Sequence, residues 1–213
     1  MRLVYSLIVV LMFLSCGRKE TTQQKVIENV DRQESQLGVY LQILGTTQDG
    51  GSPHTGCQKD CCRALFLAGK SDRKVVSLGL VSTETNQTWL FEATPDLPFQ
   101  MQVLQKEIGS TSKTPNGIFL THAHIGHYTG LMFLGREVMN SKNVSVYGLP
   151  RMKSFIESNG PWSQLVDLKN IELKQLKSDS VIQLNAKIRI TPISIPHRDE
   201  FSETAGSLIS GPS

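Results

Sequence analysis

The sequence predicts an α/β body built in layers. Along residues 38–213, short runs rich in β-branched and aromatic residues alternate with stretches whose apolar side chains recur every three to four positions. No internal repeat and no second-domain linker interrupts that alternation. With 39% hydrophobic and 19% charged residues, the chain can bury a core and lacks the composition of a disordered, coiled-coil or collagen-like protein. Its 22 basic and 19 acidic side chains leave a net charge of +3, spread thinly and without a basic run interleaved with aromatics. Nucleic acid is therefore not an expected partner.

The first apolar stretch, Leu3 to Leu14, follows a single charge at Arg2 and is too short for a bilayer that needs about 20 residues. It reads as a signal peptide over residues 1–15. Its end, Phe13-Leu14-Ser15-Cys16, resembles a bacterial lipobox, although Phe13 stands where leucine is usual. That resemblance implies lipidation of Cys16 and a place in the cell envelope, facing the periplasm or on the outer membrane, with the lipid anchor as the membrane contact. An ordinary secretory signal or an uncleaved anchor are the alternatives, and export is common to them. Residues 16–37 are polar and free of aromatics, which suits a tether.

The body, residues 38–213, opens with strands expected at Val39 to Leu44, Val75 to Thr83 and Thr88 to Phe91. Further strands are expected at Gly117 to Thr121, Val144 to Tyr147 and Lys187 to Ile195. Helical spacing marks Leu97 to Ile108, then Tyr128 to Asn140 through Leu131, Leu134 and Val138. Pro150 opens a third helix through Met152, Phe155 and Ile156.

The chemistry concentrates in Leu120-Thr121-His122-Ala123-His124-Ile125-Gly126-His127-Tyr128-Thr129-Gly130. Three of the chain's five histidines fall within six residues, where a strand passes into a helix. Histidines at i and i+2 converge on one ion when the extended segment turns, and imidazole is a good zinc ligand. The alternative is a set of histidines that cap the following helix or rest in a polar loop.

These residues resemble the metallo-β-lactamase superfamily, whose signature is H-x-H-x-D-H at a strand-to-helix loop. His122, His124 and His127 fall on its histidines, and Gly126 takes the place of its aspartate, a ligand of the second metal. The frame Thr121 to Leu131, the segment Leu44-Gly45-Thr46-Thr47-Gln48-Asp49-Gly50-Gly51 and Ala93-Thr94-Pro95-Asp96 are similar to the pyrroloquinoline quinone biosynthesis protein B branch. The resemblance implies an αβ/βα four-layer sandwich. It also carries over a third ligand, His197, at the end of Ile190 to Pro196, with Ala205 to Ile209 as the next strand. A solvated loop histidine is the other reading of His197. With His122 and His124 it would bind zinc and leave one position for water, giving a zinc-bound hydroxide as nucleophile and no protein base assigned. His127 would serve a second, weaker position.

A second cluster, Cys57, Cys61 and Cys62, lies just beyond His54. Three thiols cannot all pair, and a bridge between adjacent cysteines is strained. The resemblance implies a structural zinc with His54 as fourth ligand; a disulfide with one free thiol, or inert buried thiols, are the alternatives. Of two nearby acids, Glu92 is expected to orient the metal-binding loop, and Asp96 to cap a helix or lend the same support; neither is expected to bind metal. In the family, a later aspartate and a last histidine follow the third ligand, whereas this sequence ends at Ser213. The expectation is an N-terminal portion of such a domain that assembles one metal position. The function implied is hydrolysis of a small-molecule ester, phosphodiester or lactam, against a non-catalytic metal- or ligand-binding lipoprotein or a cofactor-biosynthesis accessory protein.

Overall fold

The computed structural model describes residues 38–69, 71–109 and 112–212. The signal peptide, Cys16 and the tether lie outside the described residues. Six strands form the larger sheet: β1 (Val39–Gly45), β2 (Ser77–Ser82), β3 (Gln87–Phe91), β4 (Gly117–Phe119), β5 (Val144–Gly148) and β6 (Ile171–Gln175), in that spatial order. β1, β2 and β3 pair antiparallel, and β3 to β6 run parallel. Parallel neighbours need crossovers, which here carry helices. A smaller antiparallel sheet holds β7 (Ile182–Gln183), β8 (Arg189–Ile195) and β9 (Thr204–Ser210). The helices are α1 (Asp60–Ala68), α2 (Leu97–Glu107), α3 (Ile125–Tyr128), α4 (Pro150–Ser158) and α5 (Trp162–Asp167); α3 runs on into a 3₁₀ helix at Thr129–Leu134. No helix among the described residues is long and apolar enough to cross a membrane.

The large sheet is covered on both faces, and strand alternation assigns each residue its side. Val81, Leu90, Ile118 and Val146 join Leu97, Leu104, Leu131 and Met152 in a core beneath the helices. Their neighbours Leu80, Trp89, Phe91 and Phe119 face the other way and pack with Ile190 and Ala205 of the smaller sheet and with Ile188 just before β8. On that face of the large sheet the rings of Phe91, Phe119 and Tyr147, from the adjacent strands β3, β4 and β5, stack side by side, with centroids 5.3 and 4.4 Å apart. Three layers can thus be traced: helices, sheet, sheet.

Several elements differ from expectation. The helix expected over Tyr128 to Asn140 is a 3₁₀ segment that stops at Leu134, and Val138 is exposed. Leu131 and Leu134, both fully buried, are three apart, a spacing that a three-per-turn helix satisfies as well as an α-helix. Close approach fixes the start of that segment. A Cβ at Gly130 would lie 2.0 Å from the carbonyl oxygen of Thr94, and Gly130 N–H donates to Ala93 O at 2.8 Å. The strands β6 and β7 and the helices α1 and α5 carry no strong periodic signal and were not expected.

Candidate metal centre

The candidate residues gather beyond the carboxyl ends of β3 and β4, where open parallel sheets place their ligands. β4 ends at Phe119, and Leu120 still pairs through its N–H to Tyr147 O. The chain then leaves the sheet, carrying His122 and His124 in its loop and His127 in α3. His122 is buried, His124 half-buried and His197 exposed. Nε2 of His122 lies 2.8 Å from Nδ1 of His124. The ring of His122 is 4.8 Å from that of His197 and 4.4 Å from that of His127. One nitrogen from each of His122, His124 and His197 falls within 4.8 Å of the other two, so these three can hold one ion. His127 stands beside that group rather than in it.

Electrostatics keep His122 ready as a ligand. Burial, followed by the neighbouring His127, His124 and His197, lowers its pKa to about 4 against a smaller opposing pull from Asp49. It is neutral at pH 7. Nδ1 of His122 sits 2.7 Å from Thr121 Oγ1, and a proton placed there leaves the Nε2 lone pair directed at His124. His127 goes the other way. Burial alone would lower its pKa, but the contact with Glu92, the charge of Glu92 and the charge of Asp49 together raise it.

Glu92 is buried just past β3 and holds φ +76°, a left-handed conformation that costs a non-glycine residue about 1–2 kcal/mol. Its Oε1 accepts the N–H of Thr121 at 3.2 Å, and its Oε2 lies 3.4 Å from Nδ1 of His127. The second contact is an ionic approach without hydrogen-bond geometry, so both atoms are buried without a partner of that kind among the described residues. Asp96 has a different task. It stands at the N-terminus of α2 but makes no side-chain cap; its Oδ2 accepts the N–H of Val75 at 2.8 Å and its Oδ1 lies 3.8 Å from Lys74 Nζ. It pins the approach to β2 and does not touch the histidines, which corrects both expectations for it.

The loop that carries His197 is held from two sides. Ser202 Oγ accepts the N–H of Ala123 at 2.8 Å, and Ala205 N–H donates to Thr121 O at 2.9 Å, which fastens it to the histidine loop. The carboxylate of Glu203 accepts the N–H groups of Arg151 and Met152 at the start of α4, where a helix leaves donors unpaired. Glu200 places Oε2 3.4 Å from Nε2 of His124. Neither Glu200 nor Ser202 has a signal in the local sequence, because each acts across more than 70 residues of chain.

Cys57, Cys61 and Cys62 are free thiols whose sulfurs lie within 4.8 Å of one another, with Cys61 and Cys62 4.0 Å apart. His54 does not join them. Its Nδ1 lies 2.9 Å from Thr55 O and its ring packs on Gly50, so the expected fourth ligand is corrected. A cleft of about 340 Å³ adjoins His127 and Glu92 and is walled by Val76, Leu78, Phe91 and Ile209.

Converging imidazoles at the mouth of a two-sheet α/β body define a metal-binding protein of the metallo-β-lactamase fold. The chain belongs to the beta-lactamase superfamily domain family, whose model matches residues 87–213, more than half of its length. Among solved structures it is similar to Zn(2+)-bound PqqB from Methylobacterium extorquens, with a TM-score of 0.62 and 21% identity over 80% of this chain and 61% of that one. A diphosphatase from the PhnP family gives a TM-score of 0.57 and 21% identity over 80% of this chain and 62% of that one. The fold protein YhfI from Bacillus subtilis gives 0.51 and 11% over 81% and 58%. This chain therefore spans about three fifths of the length of the proteins it resembles. No curated protein matches it.

Proposed function

We propose that the chain is a metal-dependent hydrolase, with zinc held by His122, His124 and His197 and a small-molecule ester, phosphodiester or lactam as substrate. The convergence of three nitrogens, one of them on a histidine kept neutral by burial, is the observation that carries this reading. The fit is good. Ligand atoms of a tetrahedral zinc with bonds of about 2.0–2.1 Å stand roughly 3.4 Å apart, inside the 2.8 to 4.8 Å spread of these nitrogens. When bound, zinc supplies Lewis acidity toward a carbonyl or phosphoryl oxygen and makes water acidic enough to attack near pH 7. The chain's own residues do the rest: Thr121 sets the ring of His122, Glu200 faces the outer nitrogen of His124, and Glu92 readies His127 to carry positive charge. The cleft beside His127 offers an apolar wall for part of a substrate. The likeness to a PhnP-family diphosphatase supports a hydrolytic reading.

The test is turnover of p-nitrophenyl acetate, bis-p-nitrophenyl phosphate and nitrocefin by the zinc-loaded chain, with zinc content measured on the same samples. Activity that disappears in His124→Ala supports hydrolysis; full zinc with no turnover on any of the three favours the second reading. That second reading, a non-catalytic metal- or ligand-binding or accessory protein, draws support from Gly126, which carries no carboxylate of its own. Export and lipid attachment at Cys16 also belong to this proposal and rest on residues 1–16. Labelled palmitate incorporated into the wild type but not into Cys16→Ser is the expected result, and no label in either removes the anchor.

A further inference from the structure

Of the three imidazoles that converge, that of His197 comes from the most exposed stretch of chain. β8 ends at Ile195 and β9 begins at Thr204, so residues 196–203 cross between two paired strands, with His197 near the start and exposed. Its ring stands 4.8 Å from that of His122 and 5.1 Å from that of His124. Among the described residues that ring makes no hydrogen bond, so its place is set by the segment that carries it.

The segment grips its surroundings from alternate positions. Glu200 and Ser202 reach the histidine loop, at His124 Nε2 and at Ala123 N–H. Asp199, Phe201 and Glu203 turn the other way, onto α4. Glu203 takes the N–H groups of its first turn, the ring of Phe201 lies 5.7 Å from that of Phe155, and Asp199 is held by Arg151. An extended chain sends successive side chains to opposite sides, and here each side has its own partner. Residues 199–203 thus form a clasp between α4 and the histidine loop.

Within the clasp, the grip nearest to His197 is that of Arg151. Its Nη2 donates to the carbonyl oxygen of Asp199 at 2.8 Å, and its Nη1 lies 3.4 Å from Asp199 Oδ2. The ion pair is exposed on both partners and adds little to stability by itself. The carbonyl contact differs. It fixes main chain two residues from the ligand, using one arm of a planar fork whose other arm takes the carboxylate. For α4 alone the arginine is misplaced, because it sits in the first turn, where the helix dipole disfavours a cation. The clasp accounts for it where the helix does not.

We propose that Arg151 is a positioning residue for His197: by holding Asp199 it fixes how the third imidazole meets His122 and His124, so that the first turn of α4 sets the metal affinity of a site to which α4 supplies no ligand. A ligand on a free loop gives up that freedom when the ion binds, and the clasp removes this cost beforehand. The proposal rests on the zinc reading above.

Two measurements on the full chain test it, the first without metal. Nitrogen-15 relaxation should show the amide of His197 ordered in the wild type and mobile on the nanosecond scale in Arg151→Ala, while the urea midpoints of the two metal-free chains stay alike. Zinc(II) equilibrium dialysis is the second, with cobalt(II) spectra to separate histidine-bound metal from metal on the thiolates of Cys57, Cys61 and Cys62. Affinity at the histidine position should fall roughly 10–100-fold in Arg151→Ala, the loss that removing a supporting partner produces. Arg151→Lys, which keeps the charge without the fork, should fall between. Added to His197→Ala, Arg151→Ala should take nothing from the residual affinity, since a residue that acts through His197 then has nothing to position. An unchanged His197 amide, wild-type zinc affinity in Arg151→Ala, a fall in its metal-free midpoint that accounts for the lost metal, or an equal loss with His197 already removed overturns the proposal and leaves the zinc reading standing. No zinc in the histidine region of the wild type overturns the zinc reading and the proposal with it.

Discussion

Glu92 offers a perturbation whose size can be worked out from its surroundings. Replacing it with alanine removes the acceptor of Thr121 N–H and the charge beside His127. A buried donor left unsatisfied costs about 1–3 kcal/mol. Thr121 is only half-buried, so the lower part of that range applies, about 1–2 kcal/mol. Alanine also keeps the penalty of φ +76°, and glycine does not. Relief of about 1–2 kcal/mol of left-handed strain, set against about 0.5–1 kcal/mol of extra glycine backbone entropy, should leave Glu92→Gly more stable than Glu92→Ala by roughly 0.5–1 kcal/mol. Urea unfolding of the metal-free chain reads both differences, and the proton affinity of His127, followed by NMR, should fall in both variants because its raised pKa depends on Glu92. A glycine variant less stable than the alanine variant would refute the strain argument. A His127 pKa that does not move would refute the pairing.

Alanine at His122, His124 or His197 should each remove most of the zinc from the first position, whereas His127→Ala should spare it; equal losses for His127 and His124 in a zinc titration would put the ion between those two and remove His197 from the set. Metal-free stability should fall as the pH drops from 6.5 toward 4, since over that window the unfolded chain binds a proton that buried His122 refuses, an effect on the order of 1–2 kcal/mol after allowing for solvent on one side of the ring. His127 has the opposite sign, its contribution being present below pH 6.5 and lost as the pH rises through its raised value, so the slope is best read as the difference between wild type and His122→Asn. Gly130→Ala should cost more than about 3 kcal/mol or abolish folding, because its Cβ meets the backbone oxygen of Thr94 at 2.0 Å and backbone cannot rotate away; circular dichroism melts decide it. Zinc that survives removal of all four site histidines should be bound by Cys57, Cys61 and Cys62, and its absence by elemental analysis would leave those sulfurs without a structural metal.

Burial leaves a mark in the sequence of some strands. β2 is Ser-Leu-Gly-Leu-Val-Ser, nearly all of it buried, because it lies mid-sheet between the helices and the second sheet. β6 is Ile-Glu-Leu-Lys-Gln at the edge of the same sheet, and its alternation of apolar and polar residues lasts only from Ile171 to Lys174, too short to stand out. α1 buries only Cys62, so it has no apolar stripe to detect. Leu131 and Leu134 misled for a different reason: their spacing is real, but it does not distinguish 3.6 residues per turn from three.

The same contrast divides the site. His122, His124 and His127 lie on one short segment, so spacing alone predicts that they meet, whereas what surrounds them comes from remote points of the chain: Asp49 after β1, Glu92 after β3, Glu200 and Ser202 after β8. A motif describes only the local chain. Gly126 reads in sequence as a missing ligand because the pattern assumes that the residue between His124 and His127 must supply its own carboxylate. In three dimensions the space beside Gly126 is taken by Asp49, whose Cα and carbonyl oxygen would lie 2.5 Å from a Cβ built there, and a glycine is what allows that segment to arrive. The Asp49 turn and Gly126 are therefore one feature: a larger residue at 126 would expel the turn, and a turn without an acid would leave His127 with only Glu92 behind it.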